Sequence, residues 1–312
     1  MNRRVFIIAN PAAGQDSFDV KGLNSLFGET GVDWDVKFTK QWGDGLQLAK
    51  QALDAGVDVV AAYGGDGTVA EVASGLVGSD VPLAILPGGT ANVMSVELGI
   101  PGRFVDACAL MAGEHVATRA VDVGVVDDRY FILRVSVGLE AKMVEGADRT
   151  LKDRLGNLAY ALSALRALRT QEVVRYEFDL DGKTVVEEGI ACIIANSGNL
   201  GLPGLRMASD IDVSDGLLDV IVVNNANLAT VRGLVASIFG QEGIAVPPEE
   251  EVPADEMRSF VHWQAREIGL RSTPVEAVQC DGEMIGDTPK QIRVIPGAVK
   301  IVVPVPTLAA SG

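Results

Sequence analysis

The chain is poor in the residues that build disulfide frameworks, histidine catalysis and zinc sites. Among 312 residues there are three cysteines, Cys108, Cys192 and Cys280, and two histidines, His115 and His262. No CxxC pair occurs, so neither a cystine scaffold nor a thiolate zinc site is expected, and the cysteines read as packed thiols of a reducing compartment. Two histidines leave little room for a triad or a His-rich metal site, and His262 with Trp263 needs no special role. Positive charge is scarce: 26 Lys and Arg stand against 42 Asp and Glu, a net charge of −16. That balance argues against nucleic acid as a partner. A protein this acidic that handles polyphosphate should need a divalent cation. Long hydrophobic runs are missing too. The opening segment MNRRVFIIANP holds an apolar run of only five residues and resembles no signal peptide, and no uninterrupted apolar stretch approaches membrane-spanning length. A soluble, cytoplasmic protein without internal repeats is expected.

Glycine, by contrast, is abundant at 35 residues, and 48% of the chain is hydrophobic, enough for one large or two ordinary cores. Through the first ~120 residues strand and helix patterns alternate. Strands are expected over 5–9, 32–39, 57–63 and 82–86, and helices over about 16–27, 45–55, 68–76, 92–98 and 104–111. Such alternation predicts a parallel sheet with helices on both faces. Beyond residue 119 strands dominate, expected over 119–126, 129–137, 173–180, 184–195, 217–223, 267–271, 275–279 and 291–295. Asp181-Gly182 marks a hairpin turn. Only 151–168 and 228–239 read as good helices, and the acidic 247–255 reads as an exposed loop. The second half should be an antiparallel sandwich or barrel.

The chain is organised around 57–76, VDVVAAYGGDGTVAEVASGL. A buried strand runs into Gly64-Gly65-Asp66-Gly67, and a helix follows with Thr68 as N-cap and Glu71 closing a capping box. Val69, Val72, Ala73 and Leu76 form one apolar stripe. The glycines allow positive φ and close backbone approach by a ligand, and the helix N-terminus behind them suits a phosphate. Asp66 has no evident packing role there. A carboxylate aimed at phosphate needs a metal between them or acts as a base; the bland alternative is a solvated Asp in a tight turn. Two more glycine loops, Asn10-Pro11-Ala12-Ala13-Gly14 and Pro87-Gly88-Gly89-Thr90-Ala91-Asn92, also follow strands. In such sheets ligands bind beyond the carboxyl ends of the strands, so one nucleotide-sized site is the economical explanation. A P-loop is absent: Gly182-Lys183-Thr184 mimics its end, but Glu177 stands where its first glycine belongs. Gly65-x-Gly67-x-x-Ala70 matches a dinucleotide fingerprint. It falls on about the third strand, however, with no acidic residue closing an evident second strand ~20 residues later.

Taken in order, these motifs resemble those of the bacterial diacylglycerol kinase and lipid kinase family, relatives of sphingosine and ceramide kinases. Asn10-Pro-Ala-Ala-Gly14 is similar to its NPxxG, Gly64-Gly-Asp-Gly-Thr68 with Glu71 to its GGDGT..E, and Pro87-Gly-Gly-Thr-Ala-Asn92 to its P-x-G-T-x-N loop. Thr39 falls at a nucleotide-contacting threonine. Asp122-Val-Gly124 and Arg129-Tyr-Phe131 resemble the segment opening the second domain, and Leu151-Lys-x-x-Leu-Gly156 with Tyr160 matches a long helix. Asp215-Gly-x-Leu-Asp219 and Asp281-Gly-Glu283 look like two later acidic motifs, the last of which reads equally well as an ordinary hairpin turn. GGDGT alone is shared with nicotinamide nucleotide kinases and phosphofructokinases; the ordered set is far more specific.

The resemblance implies an α/β fold in two domains. A parallel nucleotide-binding domain would span 1–120, rejoined by a tail over 299–312, and a mostly antiparallel β-sandwich lipid-substrate domain would span 121–298. ATP would be contacted by Asn10, Pro11, Ala12, Ala13, Gly14, Thr39, Gly64, Gly65, Asp66, Gly67, Thr68, Val69, Ala70 and Thr90. Asp66 would hold Mg²⁺ and water at the phosphates with Asp122 as partner, and Glu283 would take the proton from the acceptor hydroxyl, with Asp66 as the alternative base. A structural Mg²⁺ would sit at Asp215, with carbonyl oxygens from Asp212 and Leu217, against the plain reading of a solvated acidic turn. Ser209 and Ile211 depart from the family's usual proline and alanine there. The implied activity is an ATP- and Mg²⁺-dependent lipid kinase, peripheral to the inner face of the membrane. Rival readings are a kinase for a soluble acceptor such as a nicotinamide nucleotide, a dinucleotide oxidoreductase and a catalytically silent lipid-binding protein. Arg149, Lys152, Arg154, Arg166 and Arg169 form a basic island that could meet an anionic surface or simply be the solvated ends of a packed helix. The acceptor is left open among diacylglycerol, a sphingoid base, ceramide and phosphatidylglycerol. Oligomeric state is open too, a homodimer among the options.

Overall fold

The computed structural model describes residues 2–13, 18–113, 116–138, 173–199, 211–224 and 260–305. Gly14, the helices expected over 151–168 and 228–239, the basic island and the 247–255 loop lie outside these residues. By contacts the chain divides into two compact units. One comprises Met1–Val123, Ser197–Gly216 and Ile295–Gly312; the other comprises Gly124–Asn196 and Leu217–Val294.

In the first unit, β1 (Arg3–Ala9), β2 (Val32–Phe38), β3 (Val59–Gly64) and β4 (Leu83–Pro87) form a parallel sheet in the order β2-β1-β3-β4. Every residue of β3 and the run Val5–Ala9 in β1 are buried, the continuous apolar signature of strands covered on both faces. Helices α1 (Val20–Thr30), α2 (Asp44–Asp54), α3 (Asp66–Leu76), α4 (Val93–Glu97) and α5 (Phe104–Ala112) connect them. α1 starts later than expected because Asp19 caps it, accepting from the Gly22 N–H, and Gly31 ends it in the left-handed region. α2 and α3 pack at backbone distance. A Cβ on Gly75 would stand 2.7 Å from the Ala49 Cβ and from the Leu46 carbonyl oxygen.

The chain passes between units inside β5 (Thr118–Val126) and β16 (Lys290–Val302); the end of β16 lies parallel to β4, with Ile301 opposite Leu83. In the second unit, β8 (Val174–Leu180), β9 (Lys183–Gly189), β13 (Glu267–Thr273) and the start of β16 pair antiparallel. A six-stranded antiparallel sheet runs β12-β11-β10-β7-β14-β15. Its members are β7 (Arg134–Val137), β10 (Ala191–Ala195), β11 (Leu218–Val223), β12 (Phe260–Ala265), β14 (Ala277–Cys280) and β15 (Glu283–Asp287). Tyr176, Phe178, Ile268 and Leu270 from one set of strands share a core with Val135, Ile194, Val220 and Val278 from the other, the inner layer of a β-sandwich. β6 (Arg129–Phe131) hairpins back on β5. The fold is therefore the α/β class expected, a parallel helix-covered sheet followed by an antiparallel sandwich.

Several strand expectations need correction. The single strand expected over 184–195 is two, β9 and β10, lying in different sheets and broken at Ile190. Gly189 permits the crossing: a Cβ there would stand 2.5 Å from Val222 Cγ1 and 2.6 Å from the Val223 carbonyl oxygen. The strand expected over 129–137 also breaks, because Ile132 and Leu133 turn their N–H groups to the Asp281 carboxylate. β15 carries no clean alternation and escaped the sequence reading; β12 escaped it too, although Val261, Trp263 and Ala265 alternate with His262 and Gln264. β16 continues to Val302, through a Pro296-Gly297 pair that reads as a stop.

Candidate active site

The parallel order sets β3 between β1 and β4, with β2 beside β1. The loops after all four strands therefore open side by side at one sheet edge. Asn10, just past β1, ties two of them together. Its N–H donates to the Tyr63 carbonyl at 2.9 Å, its Oδ1 accepts from the Ala12 N–H at 2.9 Å, and its Nδ2 donates to Thr68 Oγ1 at 3.2 Å. Thr39, just past β2, donates its N–H to Ala9 at 2.9 Å. A cleft of about 260 Å³ lies here, lined by Asn10, Pro11, Ala12, Thr39, Lys40, Gln41, Trp42, Thr68 and Glu71. Five of these belong to the expected nucleotide set. Lys40, Gln41, Trp42 and Glu71 do not.

The glycine turn differs from its sequence reading in three respects. α3 begins at Asp66 with Gly65 as its N-cap, and the first helical bond runs from the Val69 N–H to Gly65 at 3.1 Å. Thr68 is thus inside the helix, buried, with its hydroxyl turned to Asn10. Glu71 closes no capping box. Its Oε2 accepts the Gly43 and Gly45 N–H groups, both at 2.9 Å, and so caps α2. None of Gly64, Gly65 and Gly67 takes a positive φ; close approach is what requires them. A Cβ on Gly64 would stand 2.5 Å from Thr68 Oγ1, and one on Gly89 would stand 2.5 Å from the Gly65 Cα. The two glycine loops touch backbone to backbone.

Asp66, for which the sequence offers no packing role, has a structural partner. Its Oδ1 accepts the Val93 N–H at 2.7 Å, fastening α3 to the start of α4. Asn92 closes the second loop from the left-handed region, accepting from the Gly89 N–H at 2.9 Å and donating to the Gly89 carbonyl at 2.7 Å. Thr90 is exposed in that loop and is not among the cleft's lining residues. Val69 and Ala70 are buried in α3. The N–H groups of its first turn stand outside the helical ladder, as in any helix, and mark the positive end of its dipole.

The acidic loop of the first unit gathers around Asp122, which is 1% exposed. Asp122 accepts the Gly216 and Gly297 N–H groups, each at 2.6 Å. Burial pushes its carboxyl above the ordinary aspartate range. The two N–H groups pull it down, and the Asp215 and Asp212 charges add to the rise. The Asp212 carboxylate pairs with Arg119 and accepts the Ser214 N–H at 2.9 Å. Among the described residues no cluster of three His, Cys, Asp or Glu could hold a metal ion. A cation here would rest on the Asp215 carboxylate and loop carbonyl oxygens, a hard-oxygen set of the kind Mg²⁺ accepts.

In the second unit Asp281 and Gly282 make the β14–β15 turn, with Glu283 exposed at the start of β15. The Asp281 carboxylate accepts the Ile132, Leu133 and Arg134 N–H groups at 2.8, 3.0 and 2.9 Å. Burial pushes its carboxyl up to about 6, even though these donors favour the ionised form. The cysteines are packed thiols held from ionising: all three are buried, and burial pushes the Cys108 thiol up to about 12 and those of Cys192 and Cys280 well above their ordinary range. Sequence reasoning assigned no role to Lys40–Trp42; their position directly after a strand end of the same sheet was the available signal. It also missed the Glu97 carboxylate accepting the Ser197 hydroxyl at 3.2 Å and the Asn199 N–H at 3.0 Å.

Comparison with known proteins agrees with this geometry. Residues 4–126 match the diacylglycerol kinase catalytic domain, and residues 133–303 match the YegS C-terminal NAD kinase beta sandwich-like domain. The chain is 32% identical to the diacylglycerol kinase of Bacillus subtilis over 232 residues, covering 73% of this chain and 76% of that one. It is 31% identical to a YegS-like lipid kinase relative of Pseudomonas putida over 263 residues, covering 83% and 85%. A crystal structure of a diacylglycerol kinase from Bacillus anthracis superposes with a TM-score of 0.73 at 26% identity, covering 97% of each chain.

Proposed function

Because the chain belongs to the diacylglycerol kinase and YegS-like lipid kinase family, we propose that it transfers the γ-phosphate of ATP to the hydroxyl of a membrane lipid such as diacylglycerol. The observation that carries this reading is the cleft where Asn10, Thr39 and Thr68 meet beside the start of α3. Phosphoryl transfer rests on positioning and charge stabilisation rather than covalent chemistry. The first turn of α3 and the touching glycine loops suit a polyphosphate, since bare backbone at the glycines can approach it closely. Asn10 and Thr68, bonded to each other, hold the loop after β1 against that turn. The Asp66 carboxylate is fixed by the Val93 N–H, so it can orient a water or cation at the phosphates without rotating away. Mg²⁺, when bound there, would neutralise charge on the phosphate oxygens; at the acidic loop it would brace the segment carrying Asp212, Asp215 and Leu217. Glu283 is the group proposed to take the proton from the acceptor hydroxyl. Family membership sets the oxidoreductase reading aside. A soluble acceptor stays as the second reading, because GGDGT is common to both kinds of kinase.

The experiment is transfer of labelled γ-phosphate to extracted lipids in the presence of Mg²⁺. A labelled lipid made by the wild type and reduced about 100-fold or more in Asp66→Asn and Glu283→Gln is expected, the range for loss of a charge-positioning or proton-accepting group. Full activity in Glu283→Gln would remove Glu283 from the base role. Label appearing only in a soluble nucleotide or sugar would overturn the lipid acceptor.

A further inference from the structure

Within the cleft Asn10, Thr39 and Thr68 serve the phosphate reading and Glu71 caps α2, but Trp42 has no part in either. It sits in the connection between β2 and α2 and is 56% exposed, an unusual condition for the largest apolar side chain. Its six-membered ring lies against the start of α3: a Cβ on Gly67 would meet Trp42 Cζ3 at 3.7 Å, ordinary van der Waals contact. Glycine at that position keeps the approach open between the ring and the helix start. Trp42 also lines the same cleft as Asn10, Thr39 and Thr68. At about 260 Å³ the cleft is smaller than the roughly 300–1,000 Å³ typical of pockets that engulf a drug-sized ligand. It would take part of a nucleotide, with the rest along the open loops.

We infer that Trp42 is the platform on which the nucleobase of the phosphoryl donor stacks. The inference rests on the kinase reading of this cleft and deepens it. An exposed indole offers a flat π-face to any base, with affinity that depends little on which base is present. Gln41, next to it in the cleft wall, carries an amide able to both donate and accept at a base edge. Anionic parts of the donor belong instead at the helix start, where N–H groups and the dipole favour them. The ring therefore marks the apolar end of a site whose other end is built for phosphate. Membrane insertion, the other use of an exposed tryptophan, is less well supported by a ring that lines a concave cleft and touches a helix start.

The test compares Trp42→Ala and Trp42→Phe with wild type for binding of ATP and of inorganic tripolyphosphate, which lacks a base, by calorimetry. A thermal melt of each variant verifies folding. Expected is about tenfold weaker ATP binding in Trp42→Ala, the order of loss when a base loses an aromatic face, with tripolyphosphate binding unchanged and most ATP affinity restored in Trp42→Phe. ATP should also quench indole fluorescence in a Trp34→Phe, Trp263→Phe chain, in which Trp42 is the remaining tryptophan. Unchanged ATP affinity in Trp42→Ala, or equal weakening of ATP and tripolyphosphate, overturns the platform while leaving the kinase reading intact. Loss of vesicle cosedimentation in place of ATP affinity would assign the ring to a membrane face. Failure of the wild type to bind ATP at all would bring down both readings together.

Discussion

Asp281 turns the β14–β15 hairpin at φ +45°, and Gly282 follows at +93°, the paired positive values of a two-residue primed turn. The same residue's carboxylate accepts three consecutive N–H groups at the corner before β7, so one side chain holds both the turn that presents Glu283 and the strand beside it. Burial raises its folded pKa to about 6 from an ordinary 3.8, which means the folded protein binds this proton more tightly than the unfolded chain. Ionisation then costs the folded state stability: the cost is absent below about pH 4, grows as pH rises through 6, and is complete above it. The urea midpoint of the second unit should accordingly rise as pH is lowered from 7 toward 5. Trp263 fluorescence in a Trp34→Phe, Trp42→Phe chain follows that unit. In Asp281→Asn, which cannot ionise, this part of the slope should vanish. An unchanged slope in the variant would assign the pH dependence to other groups.

The β3–α3 element shows how far local pattern reaches. Alternating strand and helix signals made the parallel, helix-covered sheet legible, and the glycine loops after β1, β3 and β4 followed from it. What they could not supply was strand order, which is what makes the loops neighbours. The helix start was misread for a related reason. Thr68 and Glu71 have the spacing of a capping box, yet the extended backbone of Gly65 already starts the helix, and Glu71 satisfies N–H groups 28 and 26 residues upstream in sequence. A motif specifies which polar groups are available, and packing of α2 on α3 decides which ones meet. Gly45 supports this pairing, since a Cβ there would stand 2.8 Å from the Glu71 Cβ. Replacing Glu71 by Ala should uncap α2 and cost about 1–2 kcal/mol, with Glu71→Gln, which keeps one acceptor oxygen, costing less. Chemical denaturation of the two variants checks this. Equal stability of Glu71→Ala and wild type would show that water replaces the carboxylate at no cost.

For the whole molecule the deciding quantity is the charge of −16. Local ion pairs do little to offset it. Those in the described residues are mostly solvent-facing, as with Arg103–Asp106 and Lys300–Asp80, and exposed pairs are worth only about 0–1 kcal/mol each. Repulsion among excess carboxylates acts over longer range and opposes compaction. Its reach is set by the screening length, about 30 Å at 0.01 M salt and about 10 Å at 0.1 M. Adding sodium chloride over this interval should therefore raise the thermal midpoint, because more repulsion than attraction is screened. Mg²⁺ at equal ionic strength should raise it further if cations bind at the Asp212–Asp215 loop, since site binding adds to screening. Equal midpoints in the two salts would reduce that loop to a solvated acidic turn, and a midpoint falling with sodium chloride would show that attractive pairs, not net charge, govern the stability of the fold.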